Sequence, residues 1–200
     1  MTSTRTKGSG LRELTRRTVR AQIAERAIEL FIAQGFEETT VEQIATEVGM
    51  SARSVFRYFD TKEDMVVGGM QESGARLADA LAERPADEDA WQALRGALDV
   101  LLAAMEADRE GMLARARMYA STPSLLAARK QKHSQWRELL MPGVLARLGD
   151  GPEETRELRA TAITTTVLGC FDVSITRWSE AGGAQRVEDI LDVALAAVRG

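Results

Sequence analysis

Residues 51–59 read SARSVFRYF and place Arg53, Arg57, Ser51, Ser54 and three aromatic rings within nine positions of a chain that is only 5% aromatic. A guanidinium carries a planar fork of donors that can bond the O6 and N7 atoms of guanine together, and a seryl hydroxyl can bond a base or a phosphate. At about 100° per residue, a helix through this stretch puts Ala52, Val55 and Phe59 on one side. Arg53, Ser54 and Arg57 fall opposite, with Phe56 and Tyr58 on the flanks. One edge can be buried, one can hydrogen-bond to an anionic or nucleobase partner, and Tyr58 can offer its hydroxyl while its ring packs.

Such an edge is useful only if the neighbouring elements aim it. Thr40 with Gln43 (or Thr39 with Glu42) has the spacing of a capping box, which opens a short helix over about Val41–Val48. Ala45 is small where two helices would cross. Gly49 follows four residues later, where a tight turn needs positive φ, and Val55 comes where the next helix packs back. Ser51 can cap that helix, expected to run to about Phe59, and Thr61 can cap another with Glu63 and Asp64 in its first turn. Upstream, Val19, Ile23, Ala27, Leu30 and Phe31 recur at three- and four-residue steps and form one apolar helical face. These are the spacings of a helix-turn-helix, and helix starts near Thr40 and Ser51 offer backbone N–H groups to phosphates.

The charge pattern agrees. The chain of 200 residues has a net charge of −4, yet seven cations between Arg5 and Arg26 meet only Glu13 and Glu25. A basic end on an acidic protein points to a local anionic partner. Further helices are expected at about 61–82, 87–107, 110–120, 123–148, 153–181 and 185–199, with Pro142 kinking the fourth of these six. No strand-like alternation interrupts them, so the fold class is all-α. No apolar run approaches the ~20 residues of a membrane span. A polar N-terminus lacks an export signal, and a single cysteine suits a reducing cytoplasm.

Residues 27–64, AIELFIAQGFEETTVEQIATEVGMSARSVFRYFDTKED, resemble the DNA-binding region of the tetracycline-repressor (TetR) family of bacterial transcriptional regulators. The matching positions are Ala27, Leu30-Phe31, Gly35-Phe36, Thr39-Thr40-Val41, Ile44-Ala45, Val48-Gly49, Ser51, Tyr58-Phe59 and Lys62-Glu63. The polar, basic N-terminus reads as a flexible arm (1–14), and the resemblance implies an all-helical homodimer with an N-terminal three-helix DNA-binding domain (15–62) and a larger ligand-binding domain (63–200) that dimerises through its last two long helices. By position, Thr40, Ser51, Ala52, Arg53, Ser54, Phe56, Arg57, Tyr58 and Lys62 are the expected contacts to double-stranded DNA with a palindromic operator. The family usually carries Tyr where Phe56 stands here, so a phosphate bond is either lost or moved to Tyr58. Lys62 and the Arg12–Arg20 cluster can add phosphate contacts.

In the second half, Leu158, Ala162, Thr165, Leu168/Gly169, Asp172 and Ile175 fall at helical spacing, and Val187, Ile190, Leu191, Ala194, Leu195 and Val198 form an apolar stripe. Two such helices can pair with their symmetry mates as a four-helix bundle or serve as ordinary core. Trp91, Met105, Met112, Tyr119 and Trp136 (with Met118 and Met141) are candidate walls for a small-molecule effector, or plain core. Arg115 and Arg117 could meet an anionic ligand or lie in solvent. His133 could pack or switch, and Cys170 could fill space or sense redox state. No metal-ligand cluster, cofactor loop or partnered nucleophile marks catalysis. A helical enzyme and a helical protein-interaction module stay as alternatives to a ligand-released repressor.

Overall fold

The computed structural model describes residues 7–199, in which every regular element is an α-helix. Eleven helices follow in order: α1 (Lys7–Gln34), α2 (Val41–Glu47), α3 (Ala52–Val55), α4 (Lys62–Val67), α5 (Gly69–Ala82), α6 (Ala90–Ala97), α7 (Asp99–Ala107), α8 (Arg109–Ser121), α9 (Pro123–Leu145), α10 (Glu153–Glu180) and α11 (Val187–Arg199). Two compact units divide between Gly69 and Met70. Residues 1–6 of the expected basic arm lie outside the described residues, whereas residues 7–14 belong to α1.

In the first unit α1 packs on α2 and α4, and α2 packs on α3. The small core joins Ile23, Ala27 and Phe31 of α1 to Phe36, Ile44, Ala45, Val55 and Phe59, each 5% exposed or less. The Phe31 and Phe36 rings meet with centroids 4.8 Å apart. Burying a side chain such as Phe59 stabilises this unit by roughly 1.5–3 kcal/mol.

The second unit is organised around α10, which packs on α11, α9, α8 and α6. By length and composition alone α10 could cross a bilayer, but Ala160, Val167, Leu168, Phe171 and Trp178 bury one face of it in a helical core. That core also takes Leu77, Leu81, Leu94, Leu98, Trp136, Leu140, Val144 and Leu191. Gly74 admits the Trp136 indole so closely that an added Cβ would collide with the ring. Arg95 of α6 ties to Asp99 (2.6 Å) and to Asp192 and Glu188 of α11, which clamps the last helix onto the unit.

Two expected helices are each divided. The span 61–82 breaks at Gly68, and the span 87–107 breaks at Leu98. Both break residues keep right-handed helical backbone angles, so the chain turns without leaving helical space. Pro142 lies inside α9, and its carbonyl accepts from the Ala146 amide at 3.1 Å, so winding resumes at once.

Candidate nucleic-acid interface

The turn that aims the reader segment is built from backbone bonds. Gly49, at φ +67°, lets its amide reach the Thr46 carbonyl at 3.1 Å while the Met50 amide reaches Ala45 at 2.8 Å. This pair of bonds is a Schellman stop, which satisfies carbonyls orphaned at the end of α2. The start of α2 is closed by the expected box: the Gln43 amide donates to Thr40 Oγ1 (3.2 Å), and the Thr40 amide donates to Gln43 Oε1 (2.7 Å). Ser51 caps α3 by accepting from the Ser54 amide at 3.2 Å, and the two seryl hydroxyls lie 2.9 Å apart.

Helix α3 is shorter than its wheel pattern implies. Regular helix ends at Val55, and the chain continues in tighter turns, with Arg57 bonding back to Ser54 (3.3 Å) and Tyr58 to Val55 (2.9 Å). The tightening brings Phe59 into the core at 1% exposure. The polarity of the segment is as the wheel places it. Val55 and Phe59 are buried, Ala52, Ser54 and Tyr58 are half-buried, and Ser51, Arg53, Phe56 and Arg57 are exposed. Thr40 is exposed at the neighbouring cap. Phe56 leaves about half of its ring in solvent, at 49%.

Arg57 and Tyr58 line a groove of about 440 Å³ with Leu11, Arg12, Thr15 and Arg16 of α1. Among the described residues Arg12, Arg16, Arg53 and Arg57 form no ion pair with the protein's own carboxylates. Arg12, Arg16 and Arg57 around this groove, with Arg53 exposed on the same segment, suit a polyanion, and the groove has the chemistry to follow a phosphate backbone.

Two of the expected phosphate contacts also bond within the chain. The Lys62 ammonium donates to the carbonyls of Phe36 (2.8 Å) and Thr39 (3.2 Å) and sits 4.6 Å from the centre of the Phe36 ring. It fastens the start of α4 to the loop before α2. Arg20 donates to the Tyr58 carbonyl and lies 4.2 Å from the centre of the Phe59 ring, so it braces the far end of the reader segment. Both roles depend on partners 23–38 residues away in the chain, which residue type and local spacing do not reveal.

The five effector candidates fall into different surroundings. Trp136 Nε1 donates to the Met70 carbonyl at 2.7 Å, and the Tyr119 hydroxyl meets Met70 Sδ at 3.9 Å, so these two converge on the start of α5. Met105 instead lines a groove of about 510 Å³ with Leu102, Trp178 and Val187. Trp91 and Met112 are partly buried against the core. Local spacing also left unassigned the buried Arg129, which pairs with Asp172 Oδ1, and the partner of His133, whose Nδ1 is 2.9 Å from Asp172 Oδ2. Burial acts to raise the Asp172 carboxyl, but the His133 hydrogen bond and the charges of His133 and Arg129 outweigh it and hold the group below the usual range. Cys170 is buried, which pushes its thiol up and makes it a small apolar filler.

A glycine-cornered helix-turn-helix with an exposed cationic edge, followed by a larger helical unit, defines the class of helix-turn-helix regulators. Residues 23–67 match the model of bacterial regulatory proteins of the tetR family, and residues 88–200 match that of the MftR C-terminal domain. The chain belongs to the tetR family of bacterial regulatory proteins. The HTH-type transcriptional regulator TcmR of Streptomyces glaucescens is 37% identical over 147 residues, which span 70% of this chain and 63% of that protein. The putative mycofactocin biosynthesis transcriptional regulator MftR of Mycobacterium tuberculosis is 29% identical over 163 residues, 82% of this chain and 81% of that protein. The fold is shared with Thermus thermophilus FadR, a TetR family transcriptional repressor solved with lauroyl-CoA, at a TM-score of 0.59 and 22% identity, covering 88% of this chain and 91% of that one.

Proposed function

We propose that the chain is a cytoplasmic, non-enzymatic transcriptional repressor that binds a palindromic operator as a homodimer and releases it when a small molecule enters the second unit. The observation that carries the reading is the exposure of Arg53 and Arg57 on a segment whose other edge, Val55 and Phe59, is core. Arg53 and Arg57 would read base edges in the major groove. Ser51, Ser54, Thr40 and Tyr58 would hold phosphates or bases, Ala52 would allow close approach, and Phe56 would touch a thymine methyl.

Dimerisation through the last two helices is supported by an apolar stripe left in solvent. On α10 it runs Leu158, Ala162, Thr165, Gly169 and Val173, at steps of three and four, and Val193 of α11 is 72% exposed. Pairing such stripes about a two-fold axis would set two reader segments about one DNA turn, roughly 34 Å, apart. Effector entry would bias the dimer toward a state in which α4 and α5 carry the readers out of that spacing.

Selection of bound duplexes from a random pool tests the reading. The expected result is an enriched palindrome whose binding falls steeply with salt. Retention of DNA without sequence preference would favour the protein-interaction alternative, in which the basic face serves an acidic protein.

A further inference from the structure

The second unit contains a group of hydrogen-bond donors that lacks enough acceptors. On α8, Met112, Arg115 and Tyr119 share a face at steps of three and four. Facing them, α9 contributes Arg129, His133 and Trp136, and α10 contributes Asp172. Asp172 has one oxygen on Arg129 and the other on His133. Among the described residues Arg115 forms no ion pair. Its Nη1 points at Met112 Sδ, 3.7 Å away, and its Nε is buried with no acceptor. The Tyr119 hydroxyl meets only Met70 Sδ at 3.9 Å.

A thioether is a weak acceptor, so two strong donors rest on sulfur. Burial pushes the Tyr119 phenol up to about 12, against the opposing fields of Arg129 and Arg115, which leaves it a neutral donor at neutral pH. The Arg129 guanidinium lies 5.6 Å from the centre of the Tyr119 ring. Arg129 therefore has a carboxylate partner and Arg115 has none among the described residues, although its Nε is buried, where an unmatched donor is costly.

We propose that this cluster is the anion subsite of the effector pocket. It takes a carboxylate whose oxygens accept from the Tyr119 hydroxyl and the Arg115 guanidinium. The effector's apolar body lies against Trp136, Met70 and Met112, and the flexible methionine side chains swing aside to admit it. The effector is thus an amphipathic organic acid. The proposal rests on the reading of the chain as a ligand-released regulator.

The test uses the full chain and three probes that differ only in headgroup: decanoate, decanol and decyltrimethylammonium, each below its micelle concentration. Binding is followed by tryptophan fluorescence. Decanoate should bind roughly tenfold tighter than decanol, with the ammonium weakest, as a charge-assisted pair predicts. Arg115→Gln and Tyr119→Phe should each bring decanoate to within about threefold of decanol, weakening the acid more than the alcohol. Tyr119→Phe removes a single oxygen and carries the test if Arg115→Gln fails to fold. Equal affinity for acid and alcohol, no saturable decanoate binding, or an acid preference that survives both substitutions would overturn the subsite. The selected operator duplex is titrated with the same samples. Normal operator binding without an acid preference sinks the subsite alone, whereas absent operator binding in the wild type sinks the regulator reading and leaves the acid preference standing.

Discussion

Lys62 is a residue whose expected role in binding DNA competes with a bond inside the chain. Its ammonium is taken up by two carbonyls of the chain itself. Lys62→Met keeps the stem beside Phe36 but orphans both carbonyls, so it should lower the stability of the first unit by about 1–3 kcal/mol. Operator binding measured where both proteins are folded should keep its salt dependence. A salt slope reduced by about one would restore Lys62 as a phosphate contact. Asp172 makes a second prediction at this scale. Its folded pKa is depressed, so its contribution is present above the unfolded value of about 3.9 and is lost as pH falls through the lower folded value. The difference in thermal midpoint between wild type and Asp172→Asn should narrow as pH drops from 7 to below about 4. A gap that stays constant over that range would mean that the ionised carboxylate is not what stabilises the unit.

At the scale of elements, the corner between α2 and α3 is the part most exposed to a single change. Gly49 holds a left-handed backbone angle that a β-branched residue resists, and its turn sets the direction of the reader segment. Gly49→Val should abolish operator binding while size-exclusion chromatography still shows the dimer; retained binding would mean that the corner does not aim the reader. This corner was legible in the sequence because Thr40, Ala45, Gly49, Ser51 and Val55 act on neighbours a few residues away. The buried face of α1 was legible for the same reason, since helical periodicity is local; the face that α10 buries, with Ala160, Val167, Phe171 and Trp178, was not singled out. The break at Leu98 was not, because an ordinary leucine marks it. Nor were the Arg20 brace, the Lys62 brace and the Arg129–Asp172–His133 cluster. Each pairs groups 23 to 43 residues apart, and folding chooses those partners.

For the whole molecule, function as proposed needs two copies. The exposed stripe on α10 and Val193 on α11 give a surface that water solvates poorly and a symmetry mate would cover. Val173→Glu combined with Val193→Glu should convert the dimer to a monomer in light scattering and cost most of the operator affinity, with helix content unchanged. A dimer that persists would place the interface elsewhere. The central claim is that residues 51–58 read bases in duplex DNA, and matched selections from random duplexes with wild type and Arg57→Ala test it most directly. The account predicts a two-fold palindrome for wild type. It further predicts that Arg57→Ala weakens specific binding by about 1–3 kcal/mol and relaxes the preference at one symmetric pair of positions. An unchanged base preference, or no enriched palindrome from wild type, would contradict it.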